Sequence, residues 1–223
     1  MKKLTFVALF FLCSTVASAG IVSLNFSGLQ TEEKVLNYYN GGTGGNGSGP
    51  GPNYGIYFGP DSIAGVSSAA GGADNNFNQP SGSSTCLYFL TGSGDLMDVP
   101  AGFTTGFSFY ESGPIGGTVS VYSGLDGTGT LLSTLLLPAT PFGSTDGGLV
   151  NGYYSVWDPV GVTFSGTAES VLFSGSANYI AFDDITLGSP NPGPGPGPVP
   201  EPATLLLLGS GLLGFAGFRK RMK

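Results

Sequence analysis

The sequence predicts an all-β protein: a jelly-roll-like antiparallel β-sandwich, with an N-terminal signal peptide and one short C-terminal transmembrane helix. Three observations predict the sandwich. Apolar and polar residues alternate with period two in several short runs, no run between residues 40 and 187 carries a convincing helical period, and Gly, Ser, Asn and Asp clusters separate the runs. Such alternation buries one face of a sheet and leaves the other toward water. The chain divides into residues 1–19 as signal peptide, 20–187 as sandwich, 188–198 as a Gly/Pro stalk and 199–223 as a C-terminal signal.

At the N-terminus Lys2 and Lys3 precede an apolar run from Leu4 to Leu12, and Ala17-Ser18-Ala19 forms a small-x-small pattern before Gly20. This order is that of a secretory signal peptide cut between Ala19 and Gly20. It calls for the secretion machinery and carries the sandwich across the cytoplasmic membrane. Phe11 and Leu12 stand before Cys13 where a lipoprotein box would need small residues.

Within the sandwich, Phe103, Phe107 and Phe109 share one face. Val119 and Val121 alternate with Thr118, Ser120 and Tyr122, and Val160, Val162 and Phe164 with Gly161, Thr163 and Ser165. Leu131-Leu132 and Leu135-Leu136-Leu137 read as a central strand covered on both faces. A short helical turn is expected near Thr31–Tyr38, and a flexible glycine-rich loop over 41–52. In all, about eight to ten strands in two sheets are expected.

Charge narrows the partners. Between residues 20 and 202 a single lysine, Lys34, faces all fourteen acidic residues, a net charge of −13. Such a surface repels nucleic acid and anionic lipid. The chain holds no histidine, so neither a Ser-His-Asp or Cys-His catalytic arrangement nor a His-containing zinc site can form. Once Cys13 leaves with the signal peptide, Cys86 stands alone in an apolar run, read as a small buried hydrophobe, with an intermolecular disulfide as the alternative.

Pro192-Gly193-Pro194-Gly195-Pro196-Gly197-Pro198 predicts an extended stalk of up to about 3.1 Å per residue. Val199-Pro200-Glu201-Pro202 comes next, then a helix expected over 203–218 and a basic tail, Arg219-Lys220-Arg221-Met222-Lys223. Sixteen helical residues span about 24 Å, slightly short of a hydrocarbon core of roughly 30 Å. The basic tail stays cytoplasmic and leaves the sandwich outside.

This constellation of Gly-Pro stalk, Pro-Glu-Pro, short glycine-bearing helix and arginine-rich end closely resembles the PEP-CTERM sorting signal of polysaccharide-producing Gram-negative bacteria. The resemblance covers about 25 residues. It implies an exosortase as partner, cleavage near Pro200, Glu201 and Pro202, and transient anchoring in the inner membrane before release to the cell surface or extracellular matrix.

Ile180-Ala181-Phe182-Asp183-Asp184-Ile185-Thr186-Leu187-Gly188, and more loosely Val119 through Gly129, is similar to the strands of galactose-binding-like and MAM-type jelly rolls. That resemblance implies a structural calcium ion, with Asp183 or Asp184 as its late ligand and Glu32 or Glu33 as its early one. Ser27 after Phe26 departs from the acidic residue that such sequences often carry there. Tyr38, Tyr39, Tyr153, Tyr154 and Trp157 offer rings for sugar stacking, one ring of each adjacent tyrosine pair facing outward.

The expected function is non-enzymatic: an exported surface protein associated with exopolysaccharide or biofilm matrix through a glycan-binding or matrix-embedded sandwich. A structural or adhesive protein making protein contacts is the alternative. A carboxylate-only glycosidase is the third reading, disfavoured because Asp183 and Asp184, as strand neighbours, should point to opposite faces.

Overall fold

The computed structural model describes residues 20–74, 76–78, 83–144, 148 and 150–193. Ala17 and Ala19 of the signal peptide, Val199, Pro200, Glu201 and Pro202, the expected apolar helix, and Arg219, Lys220 and Arg221 lie outside the described residues. Among the described residues no helix is long and apolar enough to cross a membrane.

Among the described residues twelve strands form: β1 (Val22–Leu24), β2 (Glu33–Lys34), β3 (Tyr57–Phe58), β4 (Ile63–Val66), β5 (Thr85–Tyr88), β6 (Gly94–Phe103), β7 (Gly106–Ser112), β8 (Gly117–Tyr122), β9 (Leu131–Leu137), β10 (Asp158–Thr163), β11 (Ala168–Ser174) and β12 (Ala181–Leu187). One sheet runs β10-β7-β12-β5-β4-β2, with β1 also on β12; the other runs β3-β6-β11-β8-β9. Every pairing between these strands is antiparallel. The all-β sandwich expected from the sequence is therefore present. Its strand number exceeds the expectation because β2 and β3 have two residues each, too few to show a period.

The sheets close on phenylalanines. Phe109 of β7, Phe173 of β11 and Phe182 of β12 are fully buried, with ring centroids 4.8 Å apart for Phe173–Phe182, 5.9 Å for Phe109–Phe173 and 5.7 Å for Phe109–Phe182. β7 and β12 belong to one sheet and β11 to the other, so this trio bridges the layers. Burying each ring contributes roughly 1.5–3 kcal/mol, and edge-on pairing adds about 0.5–1.5 kcal/mol.

Several local expectations are corrected. Phe103 does not share a strand face with Phe107 and Phe109: the chain turns at Thr105, which takes a left-handed φ of 74°, and puts Phe103 in the opposite sheet. Its ring still meets Phe107 across the core at 5.9 Å. β9 is an edge strand, not a central one. Leu135 and Leu137 face the core, while Leu136 is 79% exposed. No helical turn forms over 31–38, because Glu32 and Leu36 adopt left-handed φ values of 56° and 46°.

The 41–52 loop is held in place by hydrogen bonds rather than free. Gly45 N–H donates to Lys34 O, Gly44 N–H to Ser48 O and Gly51 N–H to Gly42 O. The first residues assigned to the stalk also lie on the sandwich. Thr105 Oγ1 donates to Gly188 O at 2.8 Å, Ser108 Oγ to Ser189 O at 2.9 Å, and Gly193 N–H to Thr186 Oγ1 at 3.2 Å.

Candidate binding pocket on the outer face of the first sheet

Period-two alternation gives the first sheet a second apolar face. In β5, Leu87 points into the core, while Cys86 and Tyr88 point outward; in β12, Phe182 points inward and Ala181 outward. With Phe77 and Tyr154 these outward residues form a separate apolar cluster. Two loop segments roof it. Asn78 N–H donates to Tyr154 O at 2.7 Å, Tyr154 N–H to Asn76 O at 3.0 Å, and Trp157 Nε1–H to Asn78 O at 2.7 Å.

Between roof and sheet lies a cavity of about 250 Å³. Rings of Phe77, Tyr88 and Tyr154 wall it, Asp74 and Glu32 bring carboxylates, and Asn76 and Asn178 bring amides. Gly65 of β4 opens the floor. A Cβ there would stand 3.0 Å from Tyr88 Cε1 and 3.2 Å from Asp74 Oδ2, so a larger side chain would fill the space.

The pocket is electronegative. Burial first, and the Glu32 charge as well, raise the Asp74 carboxyl above its ordinary range, against the Val66 backbone and the Thr31 hydroxyl, which lower it. The Thr31 hydroxyl donates to Asp74 Oδ2 at 3.4 Å. Burial, then Asp74, Cys86 and Glu32, push the Tyr88 hydroxyl well up. Burial pushes up that of Tyr154 as well, with smaller contributions from Cys86, Tyr88, Tyr179 and Asp74. Tyr154 is 4% exposed and its Oη has no hydrogen-bond partner among the described residues. Among the described residues no cation lines the pocket.

Three exposed rings contact one another on the surface. Phe142 and Tyr153 have centroids 5.3 Å apart, and Tyr153 and Tyr179 6.2 Å apart. Tyr153 and Tyr179 are chain neighbours of the pocket residues Tyr154 and Asn178.

Sequence reasoning found this site only in part. Of the tyrosine pair 153/154, one ring does face outward, Tyr153, while Tyr154 enters the pocket. Tyr38 and Tyr39, by contrast, are both buried: Tyr38 Oη donates to Ser27 O at 2.8 Å and Tyr39 Oη accepts from Phe26 N–H. Trp157 is tied to the roof by its indole N–H. Asp74, Phe77 and Tyr88 were missed. The spacing of Cys86 and Tyr88 in a strand was the one available signal for an outward pair.

The four expected calcium ligands do not converge. Glu33, Ala64, Leu87 and Phe182 stand opposite one another across β2, β4, β5 and β12. Three strand spacings therefore separate Glu33 from the Asp183 neighbourhood, about 14 Å. The Glu33 carboxylate instead accepts N–H groups of Gln30, Asn46 and Ser48. Burial raises its carboxyl, but these bonds and one from the Ser48 hydroxyl outweigh it and bring the net below the ordinary value. Glu32 lines the pocket with Asp74. Among the described residues no group of three or more His, Cys, Asp or Glu side chains could hold a metal.

Asp183 and Asp184 interrupt β12. Asp183 pairs with Tyr110 and Thr186 with Ser108, leaving one extra residue, and Asp184 takes a left-handed φ of 47°. This is a β-bulge, so the rule that strand neighbours alternate fails here and both side chains are buried. Asp183 Oδ1 accepts the Asp184 N–H at 2.7 Å. Burial and the Asp184 charge drive the Asp183 carboxyl well up, and burial raises Asp184 to about 6. Cys86 is buried and free, as its apolar surroundings predicted.

No curated protein matches the chain. Among solved structures, the K2 cleaved adhesin domain of Lys-gingipain is 13% identical over 76% of this chain and 98% of its own, with a TM-score of 0.45. The carbohydrate-binding module CsCBM6-3 from Clostridium stercorarium, in complex with cellobiose, is 21% identical over 60% of this chain and 86% of its own, at 0.35. A family 43 arabinoxylan arabinofuranohydrolase from Bacillus subtilis is 22% identical over 52% of this chain, at 0.35; the match spans only 24% of that enzyme. At these TM-scores the overlaps are partial, and the chain's own residues carry the functional argument. At the C-terminal end, residues 198–221 match the family model of the PEP-CTERM protein-sorting motif.

Proposed function

We propose that this chain is an exported surface protein whose sandwich binds glycan in the pocket over β4, β5 and β12, and that it joins an exopolysaccharide or biofilm matrix once an exosortase has removed the tail. The sorting motif at 198–221 supports the surface destination. The pocket carries the binding half: three ring walls with amide and carboxyl groups beside them, the combination that holds the apolar faces and the hydroxyls of a sugar. Its volume of about 250 Å³ lies below the roughly 300–1,000 Å³ of drug-sized sites, which suits one sugar residue or a chain end.

A glycan array probed with the full chain in mild detergent tests this reading. Retention on a subset of glycans supports it, and a blank array overturns it. The same preparation is expected to release no reducing ends from the glycans it binds, since the role is recognition alone.

A structural calcium ion at the β12 bulge is a smaller proposal. Asp183 is buried beside Asp184 at the bulge, its Oδ1 already taken by the Asp184 N–H, and its second carboxyl oxygen would serve as the ligand. A Ca²⁺-dependent rise in melting temperature that Asp183→Asn abolishes is the expected result; no rise removes the ion from the account.

A further inference from the structure

Resting on the glycan reading above, we infer that the pocket selects an amino sugar bearing a free ammonium group, as found in a de-N-acetylated hexosamine polymer. Four features of the cavity converge on a cation. Asp74 and Glu32 both contribute carboxylates to it. No lysine or arginine lines it, and Lys34, the one basic residue between 20 and 202, is not among its walls. Phe77, Tyr88 and Tyr154 present ring surfaces, which attract cations through their negative faces. Among the described residues the buried Tyr154 hydroxyl has no partner, a polar group left for a ligand to satisfy.

The occupant is an organic cation and not a bare metal ion. Calcium takes 6–8 oxygen ligands, whereas among the described residues no three His, Cys, Asp or Glu side chains come together to hold a metal. A sugar also fits what surrounds the charge. Asn76 and Asn178 can meet hydroxyls, and the exposed trio of Phe142, Tyr153 and Tyr179, two of them chain neighbours of pocket residues, offers a stacking surface for further units. A polymer of acidic sugars would instead meet the repulsion of an ectodomain with a net charge of −13.

Calorimetry with the full chain in mild detergent tests this, using a β-1,4-linked glucosamine tetrasaccharide, its fully N-acetylated counterpart and a tetralysine peptide. The free-amine sugar is expected to bind at least about tenfold more tightly than the acetylated one, as for one charge-assisted hydrogen bond, and to weaken with added salt. Asp74→Asn should remove that preference. Tyr154→Phe should weaken binding several-fold without lowering the melting temperature, because its hydroxyl bonds nothing among the described residues of the free protein; it keeps the test open if Asp74→Asn fails to fold. Equal binding of both sugars overturns the amino-sugar inference and leaves the glycan reading standing. Tetralysine binding as tightly, with the same Asp74 dependence, overturns the sugar identity. Binding of no sugar here and a blank array together overturn both.

Discussion

Glu33 Oε1 accepts a 3.0 Å hydrogen bond from the backbone N–H of Ser48, pinning the middle of the 41–52 loop to the end of the first sheet. The same oxygen accepts Asn46 N–H at 2.9 Å, and Oε2 accepts Gln30 N–H at 2.9 Å. One buried carboxylate thus orders a segment too rich in glycine to order itself. Gly44 is required beneath it, since a Cβ would press on Leu29 Cδ2 and the Glu33 carboxyl.

Glu33→Ala is expected to lower unfolding free energy by about 3 kcal/mol, several charge-assisted bonds being lost together. Glu33→Gln, which keeps one acceptor, should cost less. The folded carboxyl lies below its ordinary value, so its contribution is complete above the unfolded pKa of about 4.3 and disappears as pH falls through the folded value. Urea unfolding of both variants at neutral and acid pH measures this.

Two core acids act in the opposite direction. Burial, partly offset by the Ser62 hydroxyl and reinforced by the Asp61 charge, raises Asp95 to about 8. Burial and the Asp158 charge raise Glu111 to about 7, and neither Glu111 oxygen has a hydrogen-bond partner among the described residues. Both acids ionise near pH 4 when the chain unfolds. Between about pH 4 and pH 8 the folded state therefore holds more protons, and stability falls as pH rises, each acid contributing at most roughly 1.4 kcal/mol for every pH step of one. Melting temperature should be higher at pH 5 than at pH 8. Asp95→Asn should flatten that slope and raise the value at pH 8; an unchanged slope would show that Asp95 does not titrate there.

Residues 188–193 lie along the sheet as a strap, and Gly161 makes room for them. A Cβ at Gly161 would collide with the Pro190 carbonyl. Gly161→Val should therefore release the strap, with amide exchange at Asn191 and Gly193 at least about tenfold faster while β11 keeps its protection. Unchanged exchange at those two amides would show that the strap is held elsewhere.

The sequence made some of this legible and not the rest, for physical reasons. The alternation in β8 and β10 marked real strands because each has one covered face. The leucines of β9 misled because a run of apolar residues does not say whether its outer face is covered; Leu136 is bare. The Asp183–Asp184 pair was read by strand alternation, which a single inserted residue cancels. Asp74, Phe77, Tyr88 and Tyr154 come from distant parts of the chain, and the pairing of β4 with β5 together with the Ser67–Asp74 and Phe77–Tyr154 bridges assembles them. The buried tyrosines 38 and 39 had the composition of a stacking surface and are instead part of the core.

Gly65→Val bears on the pocket most directly, because it fills the cavity floor without touching the exposed rings, the strap or the sorting motif. Binding of the host's own surface polysaccharide should be measured for the full-length wild type and Gly65→Val, with melting temperatures to confirm that both fold. The wild type should be retained and a folded Gly65→Val protein should not. Equal retention by the two would contradict the pocket assignment and move the binding surface away from β4, β5 and β12.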